Sequence, residues 1–332
     1  MAPNATDESM LSNTNKELPK LIAPQADDWK FKISYTTVAV ISFLHLSAIY
    51  GLYLSFTSAY WATLVFDLVL LEASMLGLMA GVHRLWAHRS YKATLPLQTI
   101  LMLFQSSSGQ YTAINWAKDH RLHHKHSDTD ADPHNAARGF FFSHVGWLLV
   151  HKHPEVKRRG ASIDLSDLTS NPVLVFQKKY GFYIITLFTY VLPTLCPMFW
   201  GETFHTAFHV NNLRTMLCLN FVSLINSASH AFGKRPYDKE VRATENMAVN
   251  LVTLGEGFHN YHHVFPWDYR AAELVSKLNW TAAFIEFFAW IGWAYDLKTV
   301  ENGVVVKRAK RCGDGTYEKP ELRSEAGRMN KV

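Results

Sequence analysis

Three short stretches of this 332-residue chain are unusually dense in histidine. "HNYHH" sets His259, His262 and His263 within five positions, and "HRLHH" repeats the H-x2-H-H pattern at His120, His123 and His124. "HRLWAH" adds His83 and His88 directly after a long apolar run. On a helix, residues i, i+3 and i+4 share a face, so each H-x2-H-H can aim three imidazoles at one point. The H-x4-H pair cannot do this on a regular helix, because five residues advance about 500° at 3.6 per turn. His83 and His88 reach one metal only if the helix ends or distorts between them. Eight clustered imidazoles exceed the four ligands of a tetrahedral zinc site or the one or two axial ligands of a haem. They suit two metals. Imidazole accepts zinc, copper and iron alike, so ligand type leaves the metal open.

The elements that carry these clusters follow from the apolar runs. From Ile33 to Val82 the only charges are Asp67 and Glu72, and the runs from Tyr180 to Gly201 and from Thr215 to Gly233 carry none. A helix needs about 20 apolar residues to cross the hydrocarbon of a bilayer. We expect an all-α membrane protein with four transmembrane helices, roughly 34–55, 60–82, 181–200 and 214–231. The alternative, buried core helices of a soluble protein, fits poorly with charge-free runs of this length. "LPLQTILMLFQSSSG" is too brief to span and reads as interfacial or re-entrant; "NWTAAFIEFFAWIGWAYD" reads as an interfacial helix. "DADPHN" is a turn, and "DLSDL" with "NPVLVFQKKY" suggests a capped helix leading into the third crossing.

With the N-terminus in the cytosol, the far-side loops "SFTSAY" and "GETFHTAFHVNN" contain no Lys or Arg. Of 33 basic residues only Arg214 lies near that face, which orients the chain with both termini cytosolic. The net charge of +5 then marks a cytosolic face, not a nucleic-acid partner. All three histidine clusters fall on that side, in a helical cap formed by 83–180 and 232–300. Residues 1–30 read as a disordered tail with no cleavable signal, and 301–332 as a basic, solvated tail. Cys196, Cys218 and Cys312 have neither disulfide nor metal spacing. His45, inside the first crossing, reads as a hydrogen-bonding group to a neighbouring helix. His134, His144, His151, His153, His205 and His209 read as surface or packing residues.

"HRLWAH", "HRLHH" and "HNYHH" between paired crossings resemble the membrane fatty acyl-CoA desaturases, specifically the stearoyl-CoA-desaturase-like, insect-type acyl-CoA desaturases. The likeness runs over about residues 28 to 315 and includes "GFFFSHVGWLL", "NSASHAFG", "RPYD" and "GEGFHNYHH". It implies a desaturase domain over 31–300 and a ninth ligand at His230. It also implies an asparagine, Asn226, that holds a metal-bound water, and two irons as the metals. The implied reaction introduces a double bond, of Δ9 or Δ11 type, into a saturated C14–C18 acyl-CoA. It uses O2 as co-substrate and electrons from cytochrome b5 and its NADH-dependent reductase, at the endoplasmic reticulum membrane, with no bound NAD or flavin.

By the same resemblance Lys118, Asp119, His151, Lys152 and Thr37 contact the CoA head, although His151 stands where an arginine is usual and Thr37 where an asparagine is. Gln110 and Trp116 fall at the bend of the acyl tunnel. Val222 and Ser223 there replace a usual threonine and tryptophan, which leaves the double-bond position open. Leu71 and Met75 fall where relatives close the tunnel. Methionine in place of a common alanine implies a shallower floor and a preference for C14 to C16 over C18. Two rivals stand beside this reading: a membrane di-iron hydroxylase or acyl-lipid desaturase, and, more remotely, a zinc-binding membrane receptor or transporter.

Overall fold

The computed structural model describes residues 30–273 and 278–318. The N-terminal tail expected at 1–30 lies almost wholly outside the described residues, as does the end of the basic tail from 319 onward. Two apolar helices come first: α1 (Tyr35–Thr57), then α2 (Trp61–Leu76), which continues as a π-helix over Gly77–Ala87. Next come α3 (Leu95–Ser106) and α4 (Ala113–His126). Helix α5 (Pro172–Thr186) runs on through a π segment at Leu187–Val191 and short turns to Trp200. Helix α6 spans Phe204–Ala231, α7 His259–Val264, α8 Trp280–Trp290 and α9 Asn302–Cys312.

Three of these helices, Tyr35–Thr57, Trp61–Ala87 and Pro172–Trp200, are long and apolar enough to cross a membrane. On α1, Leu46, Ile49, Tyr53 and Phe56 point outward and are exposed, as lipid-facing side chains would be. Helix α2 is the central element: every residue from Gly77 to Ala87 is buried. Gly77 allows α3 to close on it, since a Cβ there would stand 2.2 Å from the Gln105 backbone nitrogen.

Helix α6 departs from the sequence expectation. The far-side loop read over "GETFHTAFHVNN" is almost entirely helix, starting at Phe204 with the Thr203 side chain accepting from Thr206 N–H. Its Asn211, Asn212 and Arg214 are buried. Their polar side chains hid the helix from an apolar-run reading because they face protein, where Asn211 and Arg214 bond to neighbouring elements and Asn212 Nδ2 donates to Ser47 Oγ at 2.8 Å.

The aromatic stretch forms α8, whose 11 residues make about 16 Å of helix, too short to span. Asn171 caps α5 by accepting from the N–H groups of Val173 and Leu174. His45 hydrogen-bonds across to Asn220 on α6 at 3.2 Å. The stretch expected as a solvated basic tail begins as α9, which docks Val305 and Ala309 against Tyr237, Tyr261 and Phe265. A two-residue antiparallel bridge, Lys92–Ala93 with Ala294–Tyr295, ties the segment after α2 to the segment after α8.

Candidate metal centre and adjoining cavity

The nine imidazoles singled out from the sequence converge, and they do so as two groups. His83, His88, His120, His124 and His262 form one, and His123, His230, His259 and His263 the other; within each group the nearest ring nitrogens all lie within 4.8 Å of one another. Helix α4 divides its triplet between them, sending His120 and His124 to the first group and His123 to the second. Helix α7 does the same with His262 against His259 and His263.

His83 and His88 meet because of the π-helix. In that winding each N–H reaches the carbonyl five residues back, and His88 N–H donates to His83 O at 3.1 Å. Residues five apart therefore come to the same side of the helix, and the two rings meet edge-on with centroids 4.9 Å apart. This is the distortion that the H-x4-H spacing required.

The approach of the ring nitrogens tests whether a metal fits. In the first group His88 Nε2 lies 2.8 Å from His120 Nε2, and His262 Nε2 lies 2.9 Å from His83 Nε2 and 3.0 Å from His124 Nε2. In the second, His259 Nε2 lies 3.1 Å from both His230 Nε2 and His263 Nε2, and His123 Nε2 lies 3.3 Å from His263 Nε2. Metal–nitrogen bonds of about 2.1 Å set ligands about 3.0 Å apart at right angles and about 3.4 Å apart in a tetrahedron. Hydrogen bonds alone cannot satisfy so many converging nitrogens, since a neutral imidazole has one N–H. The donor sets fit two metal ions bound through imidazole.

Carboxylates behind the rings fix which nitrogen faces inward. His123 Nδ1 lies 2.9 Å from Asp132, His230 Nδ1 3.1 Å from Asp128, and His83 Nδ1 3.1 Å from Glu256. A carboxylate that takes the Nδ1 proton leaves Nε2 free as a ligand and makes it more basic. Burial and the neighbouring rings hold His88, His120, His124, His259, His262 and His263 well below the usual imidazole range, hence neutral. Burial also works to lower His123, but Asp132 outweighs it and raises that ring. Burial would raise Glu256, yet the Arg84 guanidinium and His83 hold its carboxyl down at about 2.

Sequence reasoning missed these three carboxylates. The available signals were Asp128 and Asp132 directly after the second histidine cluster, and Glu256 three residues before the third. The turn expected at "DADPHN" is the device that aims the aspartates: Asp132 accepts from Asp128 N–H at 2.8 Å and from His134 N–H at 2.9 Å.

A cavity opens from the first imidazole group, with His83 and His120 in its wall. Gln110, Trp116, Val222 and Ser223 line it, as do Thr37, Asp119 and Asn226. Trp116 stacks on His120 with centroids 5.0 Å apart, and Asn226 stands one turn before His230 on α6. Leu71 and Met75 do not line the cavity. They pack in the cluster behind it with Met79, Cys218 and Val222, and Met79 and Val222 are in the wall. Lys152 pairs with Asp119, and His151, Lys152, Lys32 and Lys157 surround a second, more open pocket. Lys118 is half-buried against Gly160. Tyr111, Trp147, His134 and Tyr190 also line the cavity; none of them stood out in the sequence, since single aromatic or histidine residues carry no spacing.

Residues 58–282 match the family described as fatty acid desaturase. The chain is 58% identical to an acyl-CoA Delta(11) desaturase of Choristoneura rosaceana, over 95% of each chain. It is 51% identical to an acyl-CoA Delta-9 desaturase of Acheta domesticus, over 89% of this chain and 84% of that one. With the stearoyl-CoA desaturase of Homo sapiens it shares 47% identity over 87% of this chain and 81% of the other. Paired imidazole clusters at the end of a cavity between apolar helices are the physical counterpart of that similarity: this chain belongs to the fatty acid desaturase family.

Proposed function

We propose that this protein is an acyl-CoA desaturase that introduces a double bond, of Δ9 or Δ11 type, into saturated C14–C18 acyl-CoA. The observation that carries the reading is the convergence of nine imidazoles in two groups, the first of which opens through His83 and His120 onto a largely apolar cavity. Iron is the proposed metal at both groups, the nine histidines its ligands, with Asn226 holding a bound water. Residues 31–300 form the desaturase domain between the two tails. Helix α6 makes the fourth crossing, which puts both termini and the helical cap on the cytosolic side of the endoplasmic reticulum membrane.

An unactivated C–H bond is not acidic, so acid–base groups cannot remove its hydrogen; two irons with O2 would supply the oxidising power. The chain's own part is binding, orientation and exclusion of water. Trp116, Gln110, Val222 and Ser223 shape the wall that presents the alkyl segment to His83 and His120. Thr37, Asp119, Lys118, His151 and Lys152 meet the CoA head. Expression in a desaturase-deficient yeast, with double bonds located by mass spectrometry, tests the reading. A new monounsaturated acyl chain supports it, and a hydroxylated product or no product overturns it.

Two further results are expected. Electrons arrive from cytochrome b5 and its reductase, attracted by the basic cytosolic face, so turnover should slow as ionic strength rises. Stopped-flow oxidation of cytochrome b5 at low and at high salt measures this, and a salt-independent rate removes the electrostatic docking. The other result concerns chain length. Met75, 1% exposed, contacts Cys218 Sγ at 3.8 Å and backs the cavity wall through Met79 and Val222. Met75→Ala should let that wall relax outward and move the preference from C14–C16 toward C18, at about 2–5 kcal/mol in stability. An unchanged ratio of C16 to C18 products leaves Met75 as packing alone.

A further inference from the structure

Arg214 lies in the middle of α6 and is 2% exposed, among helices built to cross a membrane. A charge in such a place is costly and marks function by default. Among the described residues no carboxylate lies within ion-pair distance of it; its charge is felt by the buried Asp67 of α2, whose two oxygens have no hydrogen-bond partner. Instead its guanidinium is spent on neutral acceptors from four different elements. Nε donates to Asn211 Oδ1 at 3.0 Å, and Nη1 donates to Ser107 O at 2.7 Å and to Ser74 Oγ at 3.1 Å. Nη2 donates to Asn211 Oδ1 at 2.8 Å, Thr189 O at 3.0 Å and Thr215 Oγ1 at 3.0 Å.

The two carbonyls explain the cation. Ser107 closes the C-terminus of α3, where the last carbonyls have no helical partner and the helix dipole favours positive charge. Thr189 sits in the π segment of α5, where the change of winding frees a carbonyl. Inside a bilayer neither can turn to water. Asn211 Nδ2 donates to the Thr189 carbonyl as well, at 2.9 Å. One planar fork therefore fastens the end of α3 to α5, α6 and, through Ser74, to α2.

Beyond Ser107 the chain becomes cavity wall. Ser108, Gly109, Gln110 and Tyr111 all line the cavity, as does Thr215, the residue after the arginine. Gly109 and Tyr111 both have positive φ, 71° and 58°, so this turn does not keep its shape by backbone preference alone. A Cβ at Gly109 would stand 3.1 Å from Thr189 Cγ2, so the turn rests directly on the element that the arginine holds.

We propose that Arg214 is a positioning residue for the desaturation: a buried clasp that fixes the wall at 108–111 and 215, and through it decides which methylenes of the bound chain stand before the imidazole groups. The inference rests on the proposed acyl-CoA desaturase activity. A saturated chain offers no polar handle along its length, so only the shape of the wall sets its register. A misplacement of about 1 Å is enough to matter for a reaction that depends on position.

The test expresses wild type, Arg214→Lys, Ser74→Ala and Thr215→Val in the desaturase-deficient yeast with C14, C16 and C18 acyl chains supplied together. Chain-length ratios and double-bond positions are read by mass spectrometry, and metal per chain is measured on purified protein. Lysine keeps the charge but cannot span these acceptors with one ammonium. Arg214→Lys should keep the wild-type metal content while its C16 to C18 product ratio shifts by about fourfold, the equivalent of one methylene's burial, or its double bonds spread over neighbouring positions. Ser74→Ala, which touches the clasp but not the cavity, should move the products in the same direction by less. Wild-type product distributions in these variants overturn the proposal, even if total turnover falls. If Arg214→Lys does not accumulate, Ser74→Ala, which lies off the cavity, decides by the same criterion. A wild type that makes no double bond fails the activity reading itself, whereas an active wild type with variants of unchanged selectivity fails only the clasp.

Discussion

Alanine in place of His120, His230 or His263 should reduce desaturation to background while the protein still accumulates in the membrane. The two effects separate because different residues cause them: the apolar faces of α1, α2 and α5 suit insertion, and the imidazoles are the proposed metal ligands. His120→Ala removes one of five donors from the first group, and His230→Ala or His263→Ala one of four from the second. Metal per purified chain should fall from about two toward one, together with activity. A variant that keeps near-normal turnover and metal content takes that histidine out of the ligand set.

Glu256→Ala should be the most destabilising single change near the site. Glu256 and Arg84 are each 1% exposed at the side chain, and Glu256 Oε1 takes bonds from Arg84 Nε at 3.1 Å and Nη2 at 2.8 Å. Removing the carboxylate leaves a buried guanidinium with only Tyr269 O and Asn279 Oδ1 as acceptors. Breaking a buried pair in this way costs about 3–5 kcal/mol. It also frees His83 Nδ1, and loss of such an orienting carboxylate weakens metal binding by about 10–100-fold. Thermal unfolding in detergent and metal titration measure the two losses separately. Glu256→Gln should restore much of the stability, because the amide oxygen still accepts from Arg84, but not the metal affinity. Glu256→Ala melting at the wild-type temperature would show that the pair contributes nothing to the fold.

The local features were legible because they depend on neighbours in sequence. Apolar runs located α1, α2 and α5, since a helix that faces lipid must be apolar along its length. Histidine spacing picked out eight of the imidazoles and the family resemblance the ninth, His230, and the mismatch of H-x4-H with a regular helix already required the distortion that appears as the π-helix at Gly77–Ala87. Helix α6 was less legible. Its first half carries His205, His209, Asn211, Asn212 and Arg214, and only packing against α1, α2 and α5 makes that composition tolerable in an apolar setting.

Tertiary structure alone decided how the imidazoles divide. H-x2-H-H says that three rings share a helix face, yet α4 and α7 each stand between the two groups and split their triplets, which no single-helix argument contains. It also chose the outer carboxylates. Asp128, Asp132 and Glu256 look like ordinary turn and loop residues until folding brings each one to the Nδ1 of a particular ring. The sequence by itself determined which side chains can hold metal and which segments can lie in a membrane, because those are properties of residue type and period. The partition of ligands, the shape of the cavity and the partners of Arg214 were decided by contacts between segments distant along the chain, and no local spacing encodes such contacts.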